Sequence, residues 1–139
     1  MKNYQILEHT ADLALRVYAK DLKGLFQNAA VAVFEISAQK FPPKAPLKKE
    51  SLSIKQKADT LDELFINWLN ELLSLSATQE LVFTDFKISK IEENNLEATV
   101  IGEDLNSYKI NQEIKAATYS GLKIEHTGSE WQAEVILDV

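Results

Sequence analysis

Between Thr60 and Leu75 the apolar residues Leu61, Leu64, Phe65, Trp68, Leu72 and Leu75 recur at helical spacing. Such a stripe is buried only if a long helix lies against the rest of the chain. Thr60-Leu61-Asp62-Glu63 fits a capping box in front of it, with the threonine hydroxyl accepting a free N–H of the first turn. Leu22, Leu25, Phe26, Ala29 and Val33 repeat the pattern behind Asp21, another residue suited to cap a helix, and predict a helix over 22–37. A chain of 139 residues is one domain's worth, so 1–139 is read as a single domain built on two long helices.

Each helix follows a strand pattern. Leu13, Leu15, Val17 and Ala19 alternate with Ala14, Arg16, Tyr18 and Lys20, and Leu52 and Ile54 alternate with Ser51, Ser53 and Lys55 toward an end near Ala58. Aligning 21–28 with 60–67 matches a cap, two leucines, Phe26 with Phe65, and Asn28 with Asn67. A duplicated strand–helix unit is one reading of this match, and chance agreement between two amphipathic helices is the other. Gln39–Pro46 holds Pro42, Pro43 and Pro46 and reads as a loop, because proline lacks an N–H and restricts its predecessor. Phe86–Val100 reads as a hairpin turning at Glu93-Asn94-Asn95, and Leu122–Leu137 as a second turning at Thr127-Gly128-Ser129. Gly102–Asn111 is polar and expected as loop, and Gln112–Ser120 as a short helix ending at Gly121, with a strand the alternative. The fold class is α+β, with mixed or antiparallel sheets packed on two long helices.

The absence of cysteine excludes disulfides, thiolate metal centres and a thiol nucleophile. Four glycines, at 24, 102, 121 and 128, form no phosphate-cradling motif. His9 and His126 stand far apart and outside any zinc spacing, and no nucleophile elbow is present. Fifteen Lys+Arg against 21 Asp+Glu leave a net charge of −6, and Arg16 is the only arginine, so direct RNA binding is disfavoured. With no membrane-length apolar stretch and no signal-like start, a soluble cytoplasmic protein is expected.

Two acidic positions stand out. Asp12 closes His9-Thr10-Ala11-Asp12 ahead of the first sound strand, where it serves either as a turn cap or as a ligand. Asp138 ends the polar alternation of the last strand, beside the Val139 carboxylate. Adjacent anionic oxygens of this kind suit Ca²⁺ or Mg²⁺, and a solvated strand end is the alternative. Trp68 and Trp131 fall on apolar phases and are expected in the core rather than as base-stacking platforms. Lys115, between Ile114 and Ala116, is either a functional cation or a snorkelling side chain.

In order and spacing, these segments resemble the archease family. His9-Thr10-Ala11-Asp12 with the strand and Asp21 helix is similar to its N-terminal signature, and Asp59–Leu73 to its central helix. Gly102-Glu103, Glu113–Tyr119 and Trp131–Val139 follow, so the likeness covers essentially the whole chain. The resemblance implies a non-enzymatic activator of an RtcB-type RNA-splicing ligase. Such a protein promotes guanylylation and multiple turnover of the ligase in tRNA splicing or RNA repair. It also implies an acidic divalent-cation site, Ca²⁺ or Mg²⁺, in which Asp12 and Asp138 are ligands, the Val139 terminus adds oxygen and His9 belongs to the surrounding motif. The family often has Asp at the place of Asn67 and His at the places of Tyr108 and Ser120. Asn67 keeps a carbonyl oxygen but loses a charge, which weakens ion affinity if that position faces the metal. The alternative is a chaperone-like or specificity-modulating partner of RNA-processing enzymes such as tRNA methyltransferases. A third reading, Asp12 and Asp138 holding a metal for a hydrolytic water, lacks a base in the sequence.

Overall fold

The structure is a computed structural model that describes residues 3–7, 12–40 and 48–139. In chain order these form β1 (Tyr4–Leu7), β2 (Leu13–Ala19), α1 (Leu22–Ser37), β3 (Ala38–Lys40), β4 (Lys49–Lys57), α2 (Leu61–Gln79), β5 (Leu81–Glu92), β6 (Asn95–Asp104), β7 (Tyr108–Ile110), β8 (Ala116–Thr127) and β9 (Glu130–Asp138). Both helices begin as their caps require. Asp21 Oδ1 accepts the Gly24 N–H at 2.7 Å, and Thr60 Oγ1 accepts that of Glu63 at 3.1 Å.

The strands make three antiparallel sheets, ordered β1-β2-β9-β8, β4-β6-β5 and β3-β7. On β2 and β9 the alternation resolves as expected, with Leu15 and Val17 fully buried against Val135 and Ala133. Each helix reaches both larger sheets. From α1, Asn28 Nδ2 donates to the Tyr18 carbonyl of β2 and Gln27 Nε2 to the Phe86 carbonyl of β5. On α2, the Asn67 carbonyl accepts from Gln56 of β4, while the Asn70 side chain bonds to Ala117 of β8. Trp68 is fully buried between the helices, donating its indole N–H to the Phe26 carbonyl at 2.9 Å.

The matched strand–helix pairs extend into a larger repeat. Strand β4, helix α2 and hairpin β5–β6 make a sheet ordered β4-β6-β5, and β2, α1 and hairpin β8–β9 make one ordered β2-β9-β8. The first unit is inserted in sequence between α1 and β8 of the second. Each helix packs most heavily on the leading hairpin strand of the other unit, α1 on β5 and α2 on β8. The matched rings Phe26 and Phe65 meet edge to face at 5.1 Å where the two helices touch.

Three expectations are corrected. Gly102–Asn111 is not loop throughout: β6 runs to Asp104, whose carboxylate caps a single turn at Leu105–Ser107, and Tyr108–Ile110 form β7 against β3. Polarity misled because the charged residue Glu103 is itself buried. Gly102 is required there by packing, since a Cβ would lie 3.0 Å from Leu81 and Phe83. Nor is Gln112–Ser120 helical. Strand β8 starts at Ala116, where pairing with β9 and with the Asn70 side chain outweighs the helical preference of the two alanines. Gly121 stops no helix; it has φ +71° inside a bulge, with Ile136 3.1 Å from where its Cβ would be. Gln39 and Lys40, read as loop, pair in β3, and the prolines lie outside the described residues. Trp131 takes the expected inward phase but stays half-buried, with His126 stacked on it at 4.2 Å.

Replacing Trp68 by alanine should cost about 3–5 kcal/mol in denaturant unfolding, from cavity formation together with loss of the bond to Phe26. A loss under about 1 kcal/mol would mean that this face of α2 does not anchor the core.

Candidate functional site

The β2–β9 ladder ends with Leu13 paired with Leu137; Asp12 immediately precedes β2 and Asp138 is the last residue of β9, so both stand at this end of the sheet. On the face opposite Leu15 and Val17, the pairs inward from this end are Ala14 with Ile136 and then Arg16 with Glu134. Arg16 is committed: its Nε donates to Glu134 Oε1 at 2.7 Å, and Nη2 donates to the same oxygen. Four strand residues from Asp12, or about 13 Å, it leaves the carboxylates without an arginine partner.

The third strand closes this end of the sheet. Ala116 pairs with Asp138, and the Lys115 N–H donates to the Asp138 carbonyl at 2.7 Å. Val139 packs its side chain against the core. Asp12, Asp138 and Val139 thus share one end of one sheet, Asp12 half-buried and Asp138 exposed. His9, Thr10 and Ala11 lie outside the described residues. Among the described residues no group of three or more His, Asp or Glu side chains is arranged to hold a metal. The donors at this end are two side-chain carboxylates with main-chain and terminal oxygens, a hard-oxygen set suited to Ca²⁺ or Mg²⁺ and not to a soft metal. No histidine joins them from the described residues, because His126 stacks on Trp131 at the opposite, turn end of the β8–β9 hairpin.

Asn67, Tyr108 and Ser120 are scattered over the fold. Ser120 is exposed on β8, Asn67 stands one helical turn from Asn70, and Tyr108 is in the β3–β7 ribbon. Sequence reasoning passed over Asn70, whose amide makes two bonds to one residue of β8: Oδ1 accepts the Ala117 N–H at 2.7 Å and Nδ2 donates to its carbonyl at 3.1 Å. A signal existed. Asparagine is unfavourable inside a helix unless its side chain has a partner, and Asn70 lies mid-helix in a leucine-rich run. Beside it a groove of about 600 Å³ runs between α2 and the 105–116 segment, lined by Leu73, Ala77, Leu105, Ile110 and Ile114.

The strongest electrostatic cluster lies elsewhere. Glu103 is 5% exposed; it accepts the Tyr108 hydroxyl at 2.5 Å and pairs with Lys40 at 3.0 Å and Lys49 at 3.7 Å. The tyrosine hydrogen bond, helped by the lysines, holds this carboxyl below its ordinary value against the opposing effect of burial. Burial and the facing carboxylate push the Tyr108 phenol well above its own. Perturbed groups can mark reactive sites, but every partner here is internal. The cluster ties the β3–β7 ribbon to β4 and β6.

The profile of the Archease protein family matches residues 4–139. "Protein archease" of Methanosarcina barkeri is 37% identical over 99% of this chain and 97% of that one, and its namesake in Pyrococcus abyssi is 34% identical over the full length of both. The solution structure of Methanobacterium thermoautotrophicum protein 1598 superposes over all of both chains with TM-score 0.73 and 28% identity. The crystal structure of an archease, possible chaperone, from Thermotoga maritima does so over 96% of this chain and 94% of that one, with TM-score 0.66 and 24% identity. At that identity the second likeness shows the fold alone.

Glu103→Gln keeps an acceptor for Tyr108 but removes the charge facing Lys40 and Lys49. Because folding lowers the Glu103 pKa, its ionised form stabilises the protein above the unfolded value near 4.3, and that contribution is lost as pH falls through the folded value. The variant should be less stable by about 1–2 kcal/mol at neutral pH, with the gap closing in acid. Denaturant melts in which the gap stays constant down to about pH 3 would remove the ionic role.

Proposed function

The chain belongs to the archease family, and from that membership we propose that it is a non-enzymatic activator of an RtcB-type RNA-splicing ligase. In this reading it promotes guanylylation and multiple turnover of the ligase in tRNA splicing or RNA repair. The observation that supports the reading is the place of Asp12, directly before β2, and Asp138, the last residue of β9, at one strand end free of arginine. A cation there would be held by the Asp12 and Asp138 carboxylates and by the Val139 terminus, with main-chain oxygens or water completing the shell. When bound, Ca²⁺ or Mg²⁺ supplies a fixed positive charge for phosphate oxygens of the ligase's nucleotide. The chain's own part is to present this end to the partner and to keep the two carboxylates at one end of the β2–β9 ladder. A net charge of −6 favours docking on a basic RNA-handling enzyme and opposes direct contact with RNA.

A second reading, a chaperone-like partner of RNA-processing enzymes such as tRNA methyltransferases, draws on the name "possible chaperone" given to the Thermotoga maritima structure and on the apolar groove beside α2. The protein acts in the cytoplasm in either case, and none of its described helices is long and apolar enough to cross a membrane. Acceleration of a ligase at substoichiometric amounts supports the first reading. Stoichiometric complex formation without a change in rate supports the second.

Divalent ions should stabilise the fold by linkage, on the order of 2.7 kcal/mol at a hundredfold excess over the dissociation constant. Asp138→Ala should remove that gain, leave the ion-free fold intact and abolish ligase stimulation. Extending the chain past Val139 should act similarly by displacing the terminal charge. Melts with Ca²⁺, Mg²⁺ and chelator that coincide for wild type would sink the cation site.

Stimulation should persist with short RNA ends. Affinity of the isolated protein for RNA in the nanomolar range at physiological salt would overturn the assignment of RNA handling to the partner.

A further inference from the structure

Strand β8 is an edge strand, and its pairing with β9 is interrupted. Ala116, Ala117 and Thr118 pair with Asp138, Leu137 and Ile136, and the next rung is Lys123 with Glu134. Tyr119 to Leu122 therefore face Val135 alone, a bulge far larger than the usual single extra residue. On the β8 side the acidic end of the sheet is held by three rungs cut off from the rest of that ladder. The side chains here are small or exposed apart from two buried ones: Ala116 is small, Glu113 and Lys115 are exposed, and Ile114 and Ala117 pack into the core. A short isolated ladder frays, and fraying here would free the Lys115 N–H from the Asp138 carbonyl and leave the end of β9 held by β2 alone.

Asn70 meets this weakness from the other side. Its amide offers Ala117 an acceptor and a donor together, as the peptide of a neighbouring strand would, and α2 supplies the rigid base. We propose that Asn70 is a positioning residue that fixes the first rungs of β8 and thereby the place of Asp138 and Lys115 at the acidic end. Its effect on cation affinity rests on the reading of that end as a Ca²⁺ or Mg²⁺ site; its effect on local order does not. Asparagine is chemically specific here, because aspartate accepts the Ala117 N–H but sets an oxygen against the carbonyl, and alanine makes neither bond.

The test compares full-length wild type with Asn70→Ala, Asn70→Asp and, as a control for general destabilisation, Ile88→Ala, whose side chain is buried in the other large sheet. Two quantities are read: the Ca²⁺ midpoint of the thermal shift, and amide hydrogen exchange at Lys115 and Ala117. Both Asn70 variants should raise the Ca²⁺ midpoint by about 10–100-fold and speed exchange at these amides without speeding it in β5–β6. Ile88→Ala should lower the melting temperature and leave the midpoint unchanged. A wild-type midpoint and wild-type exchange in Asn70→Ala, or an equal midpoint shift in Ile88→Ala, overturns the proposal. If wild type shows no ion response, the cation reading fails by itself, and retained protection of Lys115 in Asn70→Ala then overturns the positioning role as well.

Discussion

Two helices have to cover two sheets, and the rest of the architecture follows from how they share that task. Neither helix has a wide solvated face. On α1, buried positions run from Leu25 through Phe34, and its polar residues Gln27 and Asn28 are spent on carbonyls of opposite sheets. Trp68 fills the space between the helices and bonds to the Phe26 backbone, so the helix pair behaves as one body. Because each helix packs on the leading hairpin strand of the other unit, neither strand–helix–hairpin unit can bury its core alone. The reciprocity ties residues far apart in sequence into a single cooperative fold.

That arrangement decides what is left for interaction. Faces turned toward the helices are buried, and chemistry falls to strand ends and edges. The edge at β8 is guarded three times: by the Asn70 amide at its start, by the bulge at Tyr119–Leu122, and by the Lys123–Glu125 pair beyond it. These devices discourage pairing with another chain while leaving the acidic end open. The ribbon of β3 and β7 is held in another way, through a buried carboxylate that gathers Tyr108, Lys40 and Lys49. Its perturbed titration reflects a structural tie and needs no reaction to explain it.

How much of this could be read in advance depends on how local the cause is. Both helices, their caps, strand β2 and both hairpins follow from spacing within a few residues, and they stand where the periodicity puts them. The helix expected over 112–120 does not form because its competitor is not local: the Ala117 peptide is claimed by Asn70, 47 residues away, and by β9. Glu103 disguised a strand as loop, since a buried charge reads as surface until its partners are known. The duplication was visible only as a short match between helices. Its larger extent lies in sheet order, which no residue pattern encodes. Asp12 and Asp138 could be singled out separately by residue type and position, but their arrival at one sheet end is a matter of register, and register is set by the buried faces of β2 and β9.

The acidic end then poses an energetic question with a structural answer. Carboxylates gathered at one strand end repel, by about 1 kcal/mol for a pair at 4 Å in water and more where the surroundings screen less. Arg16 cannot relieve this, being held by Glu134, so the strands must hold the charges together or a cation must join them. The inward faces of β2 and β9 provide the hold on one side, where Leu13 pairs with Leu137 in the core. On the other side three rungs of β8 provide it, with the Asn70 amide bonded to the middle one. A helix side chain that packs against none of the carboxylates thereby governs how closely they can be kept. In the proposed activator, the readiness of this end for a cation or for a basic partner is set from within α2.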